Sequence, residues 1–166
     1  MQTEIVTAYI GLGSNLGDRA GNLLLAVRGL LEANFAVQRL SAIYETEPFE
    51  TKSDQPFLNM VAEVRVSGIS PVQMMARMLR IEYLLGRMRE APKAPRTVDL
   101  DLLFFGSVTS ETDFLTLPHP RLHRRKFVLV PLNELAPHLV HPVLHKTVQE
   151  LLAEVEDASS VRRWKP

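Results

Sequence analysis

Cysteine is absent from this chain, which excludes disulfide frameworks, Cys-ligated zinc, iron–sulfur clusters and thiol catalysis. Net charge is absent too: 19 Lys and Arg stand against 19 Asp and Glu. That balance argues against nucleic acid or an acidic membrane held mainly by bulk electrostatics, though not against a local basic patch. No stretch approaches the ~18 consecutive apolar residues of a membrane span. The start, MQTEIVTAYI, lacks the basic region and long apolar core of a signal peptide. Internal repeats and low-complexity segments are missing as well, and the Pro-containing stretches read as loops. What remains is 166 residues, 46% hydrophobic and 23% charged, enough for one domain with a real core and outside the disordered range. The expectation is a single soluble, cytoplasmic domain.

Ile5 to Leu12 is a β-branched and aromatic run ending in Gly11, Gly13, Ser14 and Asn15, a strand entering a turn. Asp18 opens a helix with Leu23, Val27, Leu30 and Leu31 at helical spacing, ending near Asn34. Phe35 to Thr46 reads as a second strand. Leu58, Met60, Ala62, Val64 and Val66 alternate with Asn59, Glu63 and Arg65, a third. Ser70, Pro71 and Gln73 form a capping signature for a second helix, which Gly86 stops. Thr97 to Phe105 alternates again, with Val98, Leu100, Leu102 and Phe104 on one face and Thr97, Asp99 and Asp101 on the other. Thr147 to Glu150 offers another capping box before Leu151, Leu152 and Val155. These elements spell β-α-β-β-α-β, the ferredoxin-like α+β order: an antiparallel sheet with helices on one face, plus a C-terminal extension. Right-handed crossovers place strand three between strands one and two, and strand four beyond strand one. Gly13, Ser14, Asn15, Thr46, Asn59 and Asp99 then meet at one sheet edge, where the end of helix two also delivers Arg87 and Arg89.

Asp99-Leu100-Asp101 is the sharpest local signal. Period-two alternation puts both carboxylates on one face of a strand, a spacing suited to sharing Mg²⁺. An isolated pair of this kind is usually just two solvated acids, so the neighbourhood decides. Arg96 lies three residues before Asp99, and Arg87 and Arg89 lie across the loop Glu90 to Pro95. Acids for a metal with arginines for phosphate oxygens form the pattern of phosphoryl transfer. Phe57 and Asn59, at the entrance to strand three, suit stacking on a flat heterocycle and bonding to its edge, although such a Phe57 is more often simply core. His119/His123 and His141/His145 are each four apart, but Pro120 and Pro142 interrupt both pairs, so a His-based zinc site is not expected. Met74, Met75, Met78 and Met88 read as flexible packing.

Taken in order, AYIGLGSNLGDR, YETEP, DQPFLN, RIEYLLGRMR, PRTVDLDLLFFG and LPHPRLHRRKFVLVPLNELAP resemble the 6-hydroxymethyl-7,8-dihydropterin pyrophosphokinase family over about Ala8 to Pro137. The resemblance implies one pyrophosphokinase domain over 1–166, transferring pyrophosphate from ATP to the hydroxymethyl group of the reduced pterin and releasing AMP. It implies that Asp99 and Asp101 hold two Mg²⁺ ions, and that Arg87 and Arg96 steady the transferred group. It places ATP against Arg89, Arg96, Leu102, Thr116, His119 and Arg125, and the pterin against Thr46, Phe57, Asn59 and Phe127. The loops Glu47 to Gln55 and Glu90 to Pro95 resemble the family's covers over the site. Two departures are visible: the second loop is a residue shorter than in some members and carries Lys93 in place of a tryptophan, and Phe114 stands where some members have arginine. A monomer with no nucleic-acid or membrane partner is expected. The alternative from another class is a ferredoxin-like ligand- or RNA-binding module. An RNA-recognition domain wants exposed aromatics in mid-strand, where strand three offers Met60, Ala62 and Val64.

Overall fold

The alternation in strand β1 (Ile5–Ser14) sends Ala8, Ile10 and Leu12 into one core and Tyr9, Gly11 and Gly13 to the opposite face. The computed structural model to which this strand belongs describes residues 3–46, 55–86 and 97–166. β1 pairs antiparallel with β4 (Phe57–Ser67), from Ile5 opposite Ser67 to Ser14 opposite Leu58. On its other side it pairs antiparallel with β5 (Asp99–Phe105). The second strand of the sequence reading is two strands, β2 (Ala36–Leu40) and β3 (Tyr44–Thr46), both antiparallel to β4. The break has a local cause. The Ser41 hydroxyl accepts the Val61 N–H at 2.8 Å, and the Ala42 N–H turns away to the Glu134 carboxylate. The sheet order β5-β1-β4-β3-β8, with β2 also on β4, is the ferredoxin-like arrangement extended by the edge strand β8 (Val161–Arg163).

Helices α1 (Arg19–Glu32) and α2 (Pro71–Leu84) cover one face. Asp18 caps α1 by accepting the Gly21 N–H at 3.0 Å, and Ser70 and Gln73 close a reciprocal capping box on α2. Leu23, Ala26, Leu30, Met74, Met78 and Ile81 bury against Ile10, Leu58, Met60, Ala62 and Leu100. No helix among the described residues is long and apolar enough to cross a membrane.

One face assignment changes. Strict alternation predicts Phe104 on the same face as Leu100, but a register shift leaves Leu102 opposite Ile10 and Phe104 opposite Tyr9, with Leu103 as the extra residue. Such a bulge inverts the side-chain parity beyond it. Phe105 therefore joins the α1/α2 core, while Phe104 joins Leu103 on the opposite face. Asp99 and Asp101 precede the bulge and keep the parity that the sequence gives them.

The C-terminal extension covers that opposite face. After a short hairpin of β6 (Ser110–Glu111) and β7 (Thr116–Leu117), α3 (Lys126–Leu135) and α4 (Val148–Glu154) build a second core. Leu122, Leu129, Leu132, Val148 and Leu151 pack there on Tyr9, Val61, Leu103 and Phe104. Thr147 and Glu150 form the expected capping box. The buried His141 serves this core: its Nδ1 accepts the Val143 and Leu144 N–H groups, and its ring meets Phe104 edge-on.

Candidate active site

Between the sheet and its C-terminal cover lies a cavity of about 1030 Å³. Its floor comes from four strands. Thr46 sits opposite Phe57, and Gly13 is flanked by Asn59 and Asp99 on its two neighbours, with Gly11 beside Asp101. A Cβ at Gly13 would lie 2.8 Å from the Asn59 Oδ1, so any other residue there would make this amide shift from its place across β1. Thr46 is 4% exposed, and its hydroxyl has no hydrogen-bond partner among the described residues. A buried donor in that state favours a ligand able to take its bond. Arg19 steadies this end by donating to the Pro56 carbonyl at 2.7 Å and to Glu45 at 3.2 Å.

The roof is Phe127 and Arg125 with the segment 154–159. Arg125 lies 5.5 Å from the Phe127 ring centroid, in cation–π range. A second, polar cavity of about 350 Å³ opens beside the first, lined by His119, Pro120, Arg121 and Arg125. Asp99 and Asp101 line both cavities. The carboxylate pair thus forms the common wall of an aromatic slot and a basic notch.

Two groups set the electrostatics and alignment of that wall. The His119 Nδ1 accepts the Arg121 N–H at 3.2 Å, and its Nε2 faces Asp101 Oδ1 at 4.0 Å. Burial, then the charges of Arg125 and Arg121, lower its pKa from the ordinary 6.5 to about 4. The imidazole is therefore neutral at pH 7 and not a cation; with Nδ1 accepting, Nε2 carries the proton and faces Asp101. Because the unfolded chain binds this proton more tightly, the associated stability is full above pH 6.5 and is lost as pH falls toward 4. In an NMR titration of the metal-free protein, His119 is expected to titrate near 4; a midpoint at the ordinary value would contradict this.

Glu82, 2% exposed at the end of α2, accepts the Leu100 N–H at 2.8 Å. β5 is an edge strand, so this carboxylate occupies the open side of the ladder between the two aspartates. Glu82→Ala is expected to cost about 1–3 kcal/mol of stability, while Glu82→Gln, which keeps a carbonyl acceptor, retains most of it. Urea unfolding of both variants checks this; equal losses would assign the effect to charge and not to the bond.

Of the residues singled out from sequence, Thr46, Phe57, Asn59, Asp99, Asp101, Arg125 and Phe127 line the large cavity, and His119 the small one. Leu102 points into the α1/α2 core, and Thr116 lies in β7; neither lines these cavities. Phe114 is exposed. Arg87, Arg89, Arg96, Lys93 and both proposed covers, apart from Gln55, lie outside the described residues. The sequence reading missed Arg121, which lines both cavities, and the 154–159 roof. The PHPR run contains Arg121 and could have flagged it. The roof has no local signature.

The fold and site define a ferredoxin-like α+β protein whose paired acids stand between an aromatic slot and a basic notch. Comparison with known proteins supports that class. Residues 9–137 match the family described as 7,8-dihydro-6-hydroxymethylpterin-pyrophosphokinase. The Bacillus subtilis 2-amino-4-hydroxy-6-hydroxymethyldihydropteridine pyrophosphokinase is 40% identical over 95% of this chain and 90% of its own length. The Schizosaccharomyces pombe folic acid synthesis protein fol1 is 38% identical over 90% of this chain, which spans only 20% of that protein. In fold, the chain is similar to the solved Plasmodium falciparum HPPK-DHPS with pteroate, with a TM-score of 0.74 at 17% identity, over 93% of this chain and 43% of the other. The chain belongs to the 7,8-dihydro-6-hydroxymethylpterin-pyrophosphokinase family.

Proposed function

We propose that the chain transfers the terminal pyrophosphoryl group of ATP to 6-hydroxymethyl-7,8-dihydropterin, in a Mg²⁺-dependent reaction of folate synthesis. The hydroxymethyl oxygen bonds to the β-phosphorus, the bond from that phosphorus to the α,β-bridging oxygen breaks, AMP leaves, and the hydroxyl proton is released. The observation that carries this reading is the shared wall of Asp99 and Asp101 between slot and notch.

The slot suits the pterin. Phe127 on the roof and Phe57 on the floor offer two aromatic faces, and Asn59 and the Thr46 hydroxyl, which has no partner among the described residues, supply edge contacts. The notch suits the phosphates, with Arg121 and Arg125 beside a neutral His119. Arg89 and Arg96 complete the ATP contacts that the family pattern implies, whereas Leu102, whose side chain is in the core, and Thr116 line neither cavity. Arg87 and Arg96 are assigned to the charge of the transferring group.

The two carboxylates fit Mg²⁺. Among the described residues no cluster of three or more His, Cys, Asp or Glu could hold a metal, so the remaining ligands would be phosphate oxygens and water, the usual arrangement for this ion. When bound there, two Mg²⁺ ions would neutralise phosphate charge and polarise the phosphoryl group. Residues 1–166 form one catalytic domain in this reading, active as a monomer.

The RNA-binding alternative loses support on geometry. Met60, Ala62 and Val64 face α1 and α2, so they are not the strand-three residues such a module would expose. The face that would receive RNA carries Tyr9 and Val61, and it is covered by α3 and α4. Incubation with ATP, Mg²⁺ and hydroxymethyl-dihydropterin is expected to yield one AMP per pterin consumed and to stop with EDTA. Activity that persists without divalent metal would overturn the metal assignment.

A further inference from the structure

Helix α3 carries Phe127 in its first turn, yet its own N-cap, Arg125, makes no capping side-chain bond. The cap comes from far along the chain. Asp157 Oδ2 accepts the Lys126 N–H at 3.0 Å, while its Oδ1 accepts the Ser159 N–H at 2.9 Å. Burial would raise this carboxyl, but the Ser159 side chain, the two backbone N–H groups and the Lys126 charge hold it below its ordinary value. From Ser159 the chain runs directly into β8, where Val161 pairs with Thr46, and the Trp164 N–H donates to the Ile43 carbonyl at 2.9 Å. Residues 156–164 therefore form a strap from the helix that holds the roof aromatic to the strand that holds the floor hydroxyl. Glu156, Asp157, Ala158 and Ser159 line the cavity between them.

We infer that Asp157 is a positioning residue for the heterocycle: it fixes the start of α3, and with it Phe127, at the spacing from Phe57 and Asn59 that one flat ring requires. This rests on the reading that Phe127 stacks on the pterin. An ordinary helix cap contributes stability alone; a cap that also sets the height of a slot affects the ligand in the slot more than the ligand beside it.

The test uses the full chain with Asp157→Ala, Asp157→Asn and Phe127→Ala, titrated separately with hydroxymethyl-dihydropterin and with α,β-methylene ATP, alongside steady-state kinetics. Asp157→Ala is expected to weaken pterin binding about tenfold and raise its KM accordingly, with kcat and affinity for the ATP analogue changed less than about threefold. Asp157→Asn, which keeps one carbonyl acceptor for Lys126, should recover most of the loss. Emission from Trp164, the single tryptophan, should be unchanged in both, showing β8 still docked. A lowered melting temperature with unchanged pterin affinity, equal losses for both ligands, or no recovery by asparagine would overturn the proposal. If Phe127→Ala weakens pterin binding and Asp157→Ala does not, the strap's role fails and the stacking survives; if neither does, the stacking reading fails and takes the proposal with it.

Discussion

Asp99→Ala and Asp101→Ala are each expected to lower turnover by at least about a thousandfold while the protein stays folded. Both side chains are half-buried on the cavity face of β5, and the intervening Leu100 alone carries that stretch into the α1/α2 core. Truncating either acid removes no residue of the two hydrophobic cores, so the fold is expected to survive the change. The catalytic loss should be large because each carboxylate stands where slot and notch meet. In the proposed reaction, charge on the transferring phosphates is neutralised there. Initial rates across a Mg²⁺ series, run beside thermal melts, separate the possibilities. Near-normal Mg²⁺-dependent turnover in either variant would remove that residue from the metal site, and a collapsed melting temperature would make it a structural group.

Phe127→Ala is expected to weaken pterin binding by about 10- to 100-fold, the range for losing one aromatic stacking partner. Affinity for an ATP analogue should change less, because Phe127 does not line the notch and meets it only through Arg125. Phe127 sits at the margin of the second core, so some loss of stability accompanies the change. Calorimetry with each ligand in turn decides the matter. Equal losses for both would make Phe127 a packing residue whose removal loosens α3 as a whole.

The parts of the molecule readable in the sequence are those fixed by neighbours along the chain. Asp18, Ser70 with Gln73, and Thr147 with Glu150 cap helices where the sequence places them, because a cap is a bond over three residues. The alternation in β4 and the first half of β5 puts Asn59, Asp99 and Asp101 on one face, and the strand order brings them together. The unreadable parts depend on partners distant in sequence. The bulge at Leu103 follows from how β5 registers on β1, and the break after Leu40 follows from Ser41 bonding to Val61 and Glu134 reaching across from α3. Asp157, thirty-one residues after the Lys126 whose N–H it accepts, carries no local signal at all. Phe127, His119 and Arg125 entered through family resemblance, not through periodicity, and the structure sets all three around the carboxylates that spacing had already marked.

The decisive measurement is the fate of label in ATP marked separately at the β- and γ-phosphorus, incubated with the enzyme, Mg²⁺ and hydroxymethyl-dihydropterin. Attack at the β-phosphorus requires both labels to appear together in the pterin product, with unlabelled AMP as the only nucleotide released. Transfer of the γ-label alone, with the β-label retained in ADP, would contradict pyrophosphoryl transfer outright.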